Sequence, residues 1–374
     1  MKKIVVLGGG ISGYGSAILA KKRGFDVLLS DAGHIAERFR ARLDEWQVPY
    51  EEGGHSEERI LQASEVIKSP GIPDTAPIVR RIRERGIPVI SEIEFAGRYM
   101  GRARCICITG SNGKTTTTSL IYKIMRDAGM NVALGGNIGE SFAYSVATGD
   151  YDWYVLELSS FQLDGMYRFR AHIGVLMNIT PDHLDRYDHC FQNYVDAKMR
   201  ITQNQTSRDW FVYSGDDEVI WRELPKYDLR ARQLPFAAKN AVASAAGDAF
   251  LLDGSFTAAV GDRSVEIDTS KLQIRGLHNA YNAMAAALAT LAAGVDPGGA
   301  PPRTRRRARR CAVDQRLEGD ERRFGLLCVG EHDAPRGVDR RGHGQGQRLH
   351  AAQGVRAGEG PYAGLHGARQ RQTR

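Results

Sequence analysis

A glycine-rich segment near residue 110 combines the residue types that can hold phosphate groups. Residues 109–116 are Thr-Gly-Ser-Asn-Gly-Lys-Thr-Thr, preceded by the apolar run 105–108 and followed by a segment compatible with a helix. Glycines let backbone N–H groups approach phosphate oxygens, and a helix N-terminus adds partial positive charge. The lysine can reach the terminal phosphates and the next threonine can bind Mg²⁺. The segment therefore predicts a nucleoside triphosphate site, with contacts from Gly110, Ser111, Asn112, Gly113, Lys114, Thr115 and Thr116.

The spacing is shorter than the full P-loop pattern, which requires glycine where this chain has Ile108. The alternative is a Gly-Lys turn between a strand and a helix that binds no ligand. The strand before the segment and the helix after it favour phosphate binding, because structural context is what supports such a pattern.

One further residue lies where it could complete a phosphate site, and two others carry little signal by themselves. Glu157 lies near the end of the apolar run 154–158, where a metal-binding acid would lie beside a phosphate loop. The alternative is an exposed carboxylate at a strand end. His183 follows another apolar strand, but an isolated loop histidine is more often a solvated surface residue. Lys198 lies in an amphipathic segment, where a surface lysine is the default.

Residues 1–93 alternate short apolar runs with amphipathic stretches, which predicts a βαβαβα order and a parallel sheet covered by helices. The expected strands are 3–7, 27–30 and 66–68, and the expected helices are 11–22, 35–46 and 78–85. The turn 8–13 fits G-x-G-x-x-G, and Asp31 follows the next strand. This pattern normally indicates a dinucleotide site, and a tight, closely packed turn is the alternative. A diphosphate at the helix N-terminus is expected whichever nucleotide carries it.

Residues 94–297 predict a second α/β unit built around residues 109–116, which we call the phosphate loop. The expected strands are 104–108, 131–134, 153–158 and 172–177, and the expected helices are 114–128, 192–202 and 279–293. The runs 249–252 and 256–260 flank Asp253-Gly254-Ser255, which predicts a hairpin. Polar residues collect after the strands, at the edge where open α/β sheets bind ligands.

Composition limits the possible classes of protein. The 374 residues are enough for two or three domains, and no apolar run reaches the eighteen residues of a membrane span. The five cysteines lack paired C-x-x-C spacing, so no disulfide framework or zinc site is expected. Residues 301–374 hold 17 arginines and 8 acidic residues, whereas residues 1–300 hold 34 basic and 36 acidic side chains. We therefore expect a cytoplasmic protein whose folded body binds neither nucleic acid nor membrane.

Six segments, in order and spacing, resemble the Mur ligases. They are the phosphate loop, Gly-Asn-Ile-Gly at 136–139, Leu-Glu-Leu-Ser-Ser-Phe-Gln-Leu at 156–163, Asn-Ile-Thr-Pro-Asp-His-Leu-Asp at 178–185, Tyr-Val-Asp-Ala-Lys at 194–198 and His-Asn-Ala-Tyr-Asn at 278–282. The run at 156–163 favours the member that adds D-glutamate to UDP-N-acetylmuramoyl-L-alanine (UDP-MurNAc-L-Ala). The resemblance covers residues 1 to about 297 and implies a cytoplasmic bacterial enzyme of peptidoglycan synthesis, which we expect to be a monomer.

The resemblance also implies a mechanism and roles for residues. ATP would phosphorylate the terminal carboxylate of the substrate, and the amine of D-glutamate would attack the acyl phosphate. Lys114 would neutralise phosphate charge, Thr115 and Glu157 would hold one Mg²⁺, and His183 would hold a second.

Further roles follow from the same resemblance. Lys198 would be carbamylated, because a free ammonium repels Mg²⁺ and a carbamate supplies an anionic oxygen. The remaining expected contacts are Asn137 and Ser159 near the reacting groups, Asn137 and His183 with the UDP substrate, Asn279 and Asn282 with the adenine nucleotide, and Ile11, Ser12, Asp31 and Ser69 with UDP. Ala32 departs from the family, which often has a hydroxyl residue there, and this puts the uracil contact in doubt.

The resemblance ends near Gly298. Residues 301–374 contain no Lys, Ile, Asn, Ser, Met or Trp. One interpretation is a disordered basic tail, since few large apolar residues remain to build a core. Another interpretation is a shifted reading frame. Codons can be chosen for residues 315–321 that, when read from one base later, encode Asn-Asp-Ser-Lys-Ala-Thr-Asn. Codons for residues 343–353 likewise permit Thr-Asp-Lys-Gly-Asn-Asp-Tyr-Thr-Pro-Leu-Lys. Both peptides are typical of the family's C-terminal domain.

A frameshift would replace the family's third, Rossmann-like domain, which carries D-glutamate and part of the ATP site. We then expect a chain that folds through about residue 297, with residues 298–374 as an aberrant tail and activity lost or severely impaired. The competing hypotheses are a non-catalytic protein that binds a UDP-sugar or ATP, and another amide ligase of the superfamily. Folate polyglutamate ligases are disfavoured, because they begin near the phosphate-loop domain.

Overall fold

The first part of the chain forms a parallel sheet whose central strand is buried on both faces. The computed structural model describes residues 2–239, 244 and 247–298, so the predictions for residues 299–374 lie outside the described residues. In the order β3-β2-β1-β4-β5, the strands described for this sheet are β1 (Lys3–Leu7), β2 (Asp26–Ser30), β3 (Tyr50–Glu51), β4 (Glu65–Lys68) and β5 (Val89–Ile90). In β1, the run from Ile4 to Leu7 is apolar and buried, as expected for a strand covered on both sides.

Helices alternate with these strands, as the βαβαβα pattern predicts. They are α1 (Ile11–Lys22), α2 (Glu37–Glu45), α3 (Glu57–Ile60), α4 (Pro77–Glu84) and α5 (Glu92–Gly97). The parallel α/β class is confirmed, while the predicted order lacked β3 and β5. Each of these strands has two residues, too few to show a period in the sequence.

A larger mixed sheet follows, in the order β14-β13-β12-β11-β10-β9-β6-β8-β7 within the described residues. Its strands are β6 (Arg104–Thr109), β7 (Val132–Gly136), β8 (Trp153–Glu157), β9 (Ile173–Leu176), β10 (Trp210–Ser214), β11 (Arg232–Ala237), β12 (Gly247–Leu252), β13 (Ser255–Val260) and β14 (Arg263–Asp268). Strands β12, β13 and β14 pair antiparallel, and the other pairs are parallel. The predicted hairpin is β12–β13, and β14 extends it.

The helices of this second part are α6 (Lys114–Asp127), α7 (Phe142–Thr148), α8 (Ser160–Asp164), α9 (Phe191–Met199), α10 (Glu218–Glu223) and α11 (Leu277–Ala293). Short 3₁₀ helices cover Leu184–Arg186, Arg200–Thr202, Leu224–Lys226 and Thr269–Lys271. Alanine-rich α11 is buried along most of its length and packs beside α6. Small side chains allow this close approach, and α11 ends at Gly294, whose φ is +99°.

Strand register brings the expected site residues to one edge of the second sheet. In β6, Ile108 pairs with Glu157 of β8, and Thr109 pairs with Leu176 of β9. Gly136, at the end of β7, also pairs with Glu157. The C-terminal ends of these strands therefore surround the start of α6. Across the part of the chain that the structure describes, every helix is too short or too polar to cross a membrane.

Candidate active site

The phosphate loop needs glycine at two positions. It connects β6 to α6, with Gly110 at φ +150° and Gly113 at φ +83°. A Cβ atom at Gly113 would lie 2.4 Å from Oδ1 of Asn282, and one at Gly110 would lie 2.8 Å from Cβ of Met177. Side chains at these positions would therefore meet both conformational strain and steric overlap.

Lys114 lies over the loop that precedes it. Its Nζ donates hydrogen bonds to the carbonyl oxygens of Gly110 (2.8 Å) and Ser111 (2.9 Å). Burial lowers the pKa of Lys114, while the charges of Glu157 and Asp182 act in the opposite direction. The ammonium is thus held at the loop, and its contact with phosphate stays a prediction.

Glu157 is a buried carboxylate, not the exposed strand-end acid considered as the alternative. Only 1% of its surface is exposed. Its Oε2 accepts a hydrogen bond from Oγ1 of Thr115 (2.8 Å), and its Oε1 accepts one from Nδ2 of Asn137 (2.8 Å). The carboxylate therefore joins the start of α6 to the loop after β7.

These donors suit Mg²⁺, which proteins usually hold through one or two carboxylates together with phosphate oxygens and water. A hydroxyl and a carboxylate oxygen lie together at Thr115 and Glu157. Within residues 2–239, 244 and 247–298, no group of three or more His, Cys, Asp or Glu side chains could hold a metal ion. A metal at this site would therefore depend on ligands supplied by the nucleotide.

The segment after β9 is fastened to the phosphate loop. The Asn112 backbone donates to Oδ1 of Asn178 (2.8 Å), and Nδ2 of Asn178 donates to the Asn112 carbonyl (3.0 Å). Oγ of Ser111 donates to the carbonyl of Thr180 and accepts from its backbone N–H, both at 2.9 Å. Asp217, which the sequence analysis did not single out, also holds this segment by accepting from the Ile179 backbone (2.9 Å). Asp217 is the N-cap of α10, and an aspartate at a helix start is a pattern by which the sequence could have indicated this residue.

His183 lies in this segment but is exposed. Its Nε2 is 3.5 Å from Oδ2 of Asp182, and its ring centroid is 5.5 Å from that of Phe161. Its backbone has φ +50°, in the left-handed region. The described contacts do not join His183 to Thr115 or Glu157, so its role in a second metal site stays a prediction.

Lys198 is buried, contrary to the default of a surface lysine. Its exposed fraction is 1%, its Nζ donates to the carbonyl oxygen of Gly110 (2.8 Å), and it lies 4.6 Å from the ring centroid of Tyr194. Burial, and next the charge of Lys114, lower the pKa of Lys198 to about 7. Only the resemblance gave Lys198 a role, because a short amphipathic segment does not reveal which face another part of the chain covers.

The remaining predicted residues of this part have different surroundings. Asn282 is buried against the phosphate loop, where its Oδ1 accepts from Oγ1 of Thr117 (3.3 Å). Asn279 is partly exposed and accepts from Nδ2 of Asn282 (3.1 Å). The hydroxyl of Ser159 caps α8 through a reciprocal arrangement with Gln162, so the structure gives it a role in the helix N-terminus.

The first sheet carries a second set of predicted contacts. Gly8 has φ +92°, and a Cβ there would lie 2.7 Å from Oγ of Ser69. Asp31 accepts hydrogen bonds from the backbones of Gly9 (2.5 Å) and Gly33 (2.7 Å). It therefore holds the glycine turn to the end of β2.

A cavity of about 750 Å³ opens beside this turn. Its walls include Gly8, Asp31, Ala32, His55 and Arg80. At the start of α1, the side chain of Ile11 is exposed and that of Ser12 is partly buried. Ile11, Ser12, Asp31 and Ser69 thus lie at or next to the glycine turn, and their contacts with UDP stay a prediction.

A phosphate loop between a central strand and a helix, with an acid at the end of the neighbouring strand, is the arrangement of P-loop α/β proteins. Comparison with known families agrees with this class and narrows it. Residues 108–290 match the Mur ligase middle domain, and residues 2–91 match the Mur ligase MurD-like N-terminal domain. The chain belongs to the Mur ligase family.

Among similar proteins are UDP-N-acetylmuramoylalanine--D-glutamate ligases. The Bacteroides fragilis protein is 55% identical over 295 residues, which cover 79% of this chain and 65% of the relative. The Chlorobaculum tepidum protein is 40% identical, covering 78% of this chain and 65% of the relative. The chain thus spans about two thirds of the length of the curated relatives it matches.

Solved structures agree at the level of the fold. The UDP-N-acetylmuramate:L-alanyl-gamma-D-glutamyl-meso-diaminopimelate ligase from Neisseria meningitides has a TM-score of 0.56 and 21% identity, covering 79% of this chain and 95% of that chain. A murein peptide ligase from Psychrobacter arcticus has a TM-score of 0.52 and 18% identity, covering 78% and 67%.

Proposed function

We propose that this chain derives from the ligase that joins D-glutamate to UDP-MurNAc-L-Ala in cytoplasmic peptidoglycan synthesis. The observation that carries the proposal is the buried Glu157 carboxylate, which contacts both Thr115 of the phosphate loop and Asn137. This geometry supports a site for a metal-bound triphosphate. The relatives named for D-glutamate ligation, up to 55% identical, supply the substrate class.

The proposed reaction has two steps. The terminal carboxylate of UDP-MurNAc-L-Ala attacks the γ-phosphate of ATP, which gives an acyl phosphate and ADP. The amine of D-glutamate then attacks the acyl carbon, phosphate leaves, and the amine loses a proton. Thr115 and Glu157 would hold a Mg²⁺ ion, which would supply positive charge against the triphosphate.

The protein groups have separate tasks in this proposal. Lys114 leaves its loop carbonyls to contact the β- and γ-phosphates, and Asn137 orients the reacting carboxylate. The Gly8–Gly13 turn holds the diphosphate of the UDP substrate at the start of α1. Its cavity takes the nucleoside, with Asp31 and Ser69 beside it. Asn279 and Asn282 contact the adenine nucleotide.

Lys198 is proposed to carry a carbamate. Its pKa of about 7 leaves a large neutral fraction at physiological pH, and the neutral amine is the form that adds CO₂. The product would place an anionic oxygen beside the phosphate loop, where with His183 it could serve a second Mg²⁺. A ¹³C carbamate signal after addition of ¹³CO₂ is expected from the wild-type chain and from the control Lys123→Arg, an α6 substitution at a partly exposed residue. It should disappear in Lys198→Arg, and a signal that persists there would contradict the assignment.

Residues 298–374 are proposed to be the family's C-terminal segment translated in another frame. Codons that are compatible with residues 315–321 and 343–353 can encode two family-like peptides, in order, when the frame is shifted by one base. Sequencing the gene tests this directly. A continuous frame whose codons do not encode those peptides would overturn it.

Catalysis is therefore expected to be lost or severely impaired while ligand binding survives. Isothermal titration of the full chain should detect UDP-MurNAc-L-Ala and Mg²⁺·ATP, whereas coupling of labelled D-glutamate should be near background. Lys114→Met should abolish ATP binding, and Lys123→Met, at a partly exposed residue further along the same helix, should not.

The outcomes separate the hypotheses. Binding of both ligands without coupling supports a non-catalytic remnant, and coupling at ordinary enzyme rates refutes the loss of activity. Absence of both binding events refutes the proposed function. Coupling of another amino acid would instead indicate a different ligase of the superfamily.

A further inference from the structure

The loop that carries Asn137 runs tightly along the end of β8. It covers residues 136–140, between β7 and α7, and has positive φ at Gly136 (+96°) and Gly139 (+74°). A Cβ at Gly136 would lie 2.2 Å from the carbonyl oxygen of Glu157. Asn137 contacts Glu157 twice, because its backbone N–H donates to the Glu157 carbonyl (2.8 Å) and its amide donates to the carboxylate. A small movement of this loop would therefore move the carboxylate's hydrogen-bond donor.

The last residue of the loop, Glu140, contacts helices of the first sheet. Its Oε1 accepts a hydrogen bond from the Tyr14 hydroxyl on α1, and its Oε2 accepts one from Nη1 of Arg42 on α2 (2.9 Å). The same Arg42 nitrogen donates to the Tyr14 hydroxyl (2.7 Å). The three side chains thus form a closed set of contacts, which we call the Tyr14–Arg42–Glu140 cluster.

Packing restricts the orientation of this cluster. Tyr14 is 1% exposed and stacks on Phe39, with ring centroids 4.9 Å apart. The guanidinium of Arg42 lies 4.7 Å from the ring centroid of Tyr144 on α7. Burial, and next the contact with Glu140, raise the pKa of Tyr14, so the hydroxyl remains a donor at physiological pH.

The cluster also begins close to the glycine turn. The Tyr14 backbone N–H donates to the Gly10 carbonyl (3.0 Å), so Tyr14 lies in the first turn of α1. Contacts therefore run from the turn that we propose binds the UDP substrate, through Tyr14, to Glu140. Glu140 lies in the same loop as Asn137, which contacts Glu157.

We propose that Tyr14, Arg42 and Glu140 are positioning residues. They fix the position of the 136–140 loop, and through Asn137 the position of Glu157, relative to the helices of the first sheet. The inference rests on the proposed function for the roles of Asn137 and Glu157. Apolar packing already joins the two parts of the chain, since Tyr14, Phe142 and Tyr154 belong to one continuous core. The Tyr14–Arg42–Glu140 cluster is therefore not needed to hold the two parts of the chain together. Its directional hydrogen bonds select the position of one loop.

Hydrogen exchange and nucleotide binding test this proposal on the full chain. Glu140→Ala should raise amide exchange in residues 136–140 about tenfold and weaken Mg²⁺-dependent ATP binding by a similar factor. Glu140→Gln, which keeps an acceptor for Tyr14, should restore much of both. Glu65→Ala is the matched control, because Glu65 also pairs with an arginine, Arg98, at 2.8 Å but away from the loop.

A double-mutant cycle distinguishes positioning from general stability. If Glu140 acts through Asn137, Glu140→Ala should weaken ATP binding little further in an Asn137→Ala background. Equal effects in both backgrounds, or unchanged exchange in residues 136–140, would overturn the inference. If the wild-type chain binds no ATP, the exchange measurement alone still decides whether Glu140 positions the loop, and the proposed function fails only if UDP-MurNAc-L-Ala binding is absent as well.

Discussion

Thr115 and Glu157 are 42 positions apart in sequence, yet the Thr115 hydroxyl lies 2.8 Å from Oε2 of Glu157. Parallel pairing of β6 with β8 produces this contact, because Ile108 and Glu157 share a register position and the loop returns the chain to the start of α6. The pair places two oxygen atoms that can bind a metal ion at a helix N-terminus, which favours an anion.

Glu157→Gln should therefore separate metal binding from nucleotide binding. The amide retains the size of the side chain but loses the negative charge that attracts Mg²⁺, so we expect ATP affinity in Mg²⁺ to fall at least about tenfold, or about 1.4 kcal/mol. Affinity in the presence of EDTA should change little. Isothermal titration under both conditions measures this, with Glu218→Gln at the start of α10 as the control. Equal losses with and without Mg²⁺ would show that Glu157 does not serve a metal.

Gly113 provides a test of the loop's steric requirement. Gly113→Ala combines a φ of +83° with a Cβ only 2.4 Å from Asn282, whereas Gly24→Ala has a similar φ (+79°) and open space around the Cβ. The Gly24 variant should lose about 1 kcal/mol of unfolding free energy through backbone strain alone. The Gly113 variant should lose more, and it should also lose ATP binding. Urea unfolding and titration measure the two effects.

The Gly113→Ala, Asn282→Ala double variant separates overlap from strain. Removing the Asn282 amide should recover part of the additional loss, because the overlapping atom is gone. If Gly113→Ala and Gly24→Ala lower the free energy of unfolding equally, the contact with Asn282 does not constrain the loop.

Much of the fold was predictable because its central elements have strong local patterns. The strand 3–7 and the helix α1 were predicted at their observed positions, and the turn between them has glycine at position 8, where φ is +92°. β11 was missed: it contains Pro235, which normally argues against an interior strand. β14 was missed as well; its half-exposed, charged residues give a weak apolar signal. The buried aromatic run of β10 was not assigned, although its composition does predict a strand.

The site was predictable mainly where chemistry coincides with strand ends. Glu157 is the last residue of an apolar strand, so its position at this edge of the sheet could be inferred, although its burial could not. The burial of Lys198 depends on the packing of α9 against the phosphate loop, a long-range contact that local periodicity does not contain. The contacts of Glu140 with Tyr14 and Arg42 depend in the same way on the arrangement of two sheets.

Lys198 should give the chain a specific pH dependence. Its pKa is about 7 in the folded chain and near the ordinary 10.5 when unfolded. Between these values the unfolded chain binds more protons, so Lys198 makes the free energy of unfolding rise with pH over this interval and lowers it as pH falls towards 7. Lys198→Met lacks the titrating group and should lack this contribution.

The measurement is urea unfolding of both proteins in CO₂-free buffer from about pH 6 to pH 10. The free energy of the wild type relative to Lys198→Met should increase with pH, whatever constant offset the lost Gly110 hydrogen bond produces. If the free energies of unfolding of the two proteins change with pH in parallel, folding does not lower the pKa of Lys198.

Asp31 should support both the first sheet and ligand binding. Its carboxylate accepts from the backbones of Gly9 and Gly33, so Asp31→Ala leaves two N–H groups without that partner and should cost about 1–3 kcal/mol of unfolding free energy. UDP affinity should fall too, because the turn that carries Gly9 loses its anchor. Asp31→Asn retains one acceptor oxygen and should lose less of both. Asp26→Ala, at the exposed opposite end of β2, should change neither. Chemical unfolding and UDP titration measure these effects. If Asp31→Ala loses stability but keeps full UDP affinity, Asp31 is only a structural support and the UDP contact proposed for it is wrong.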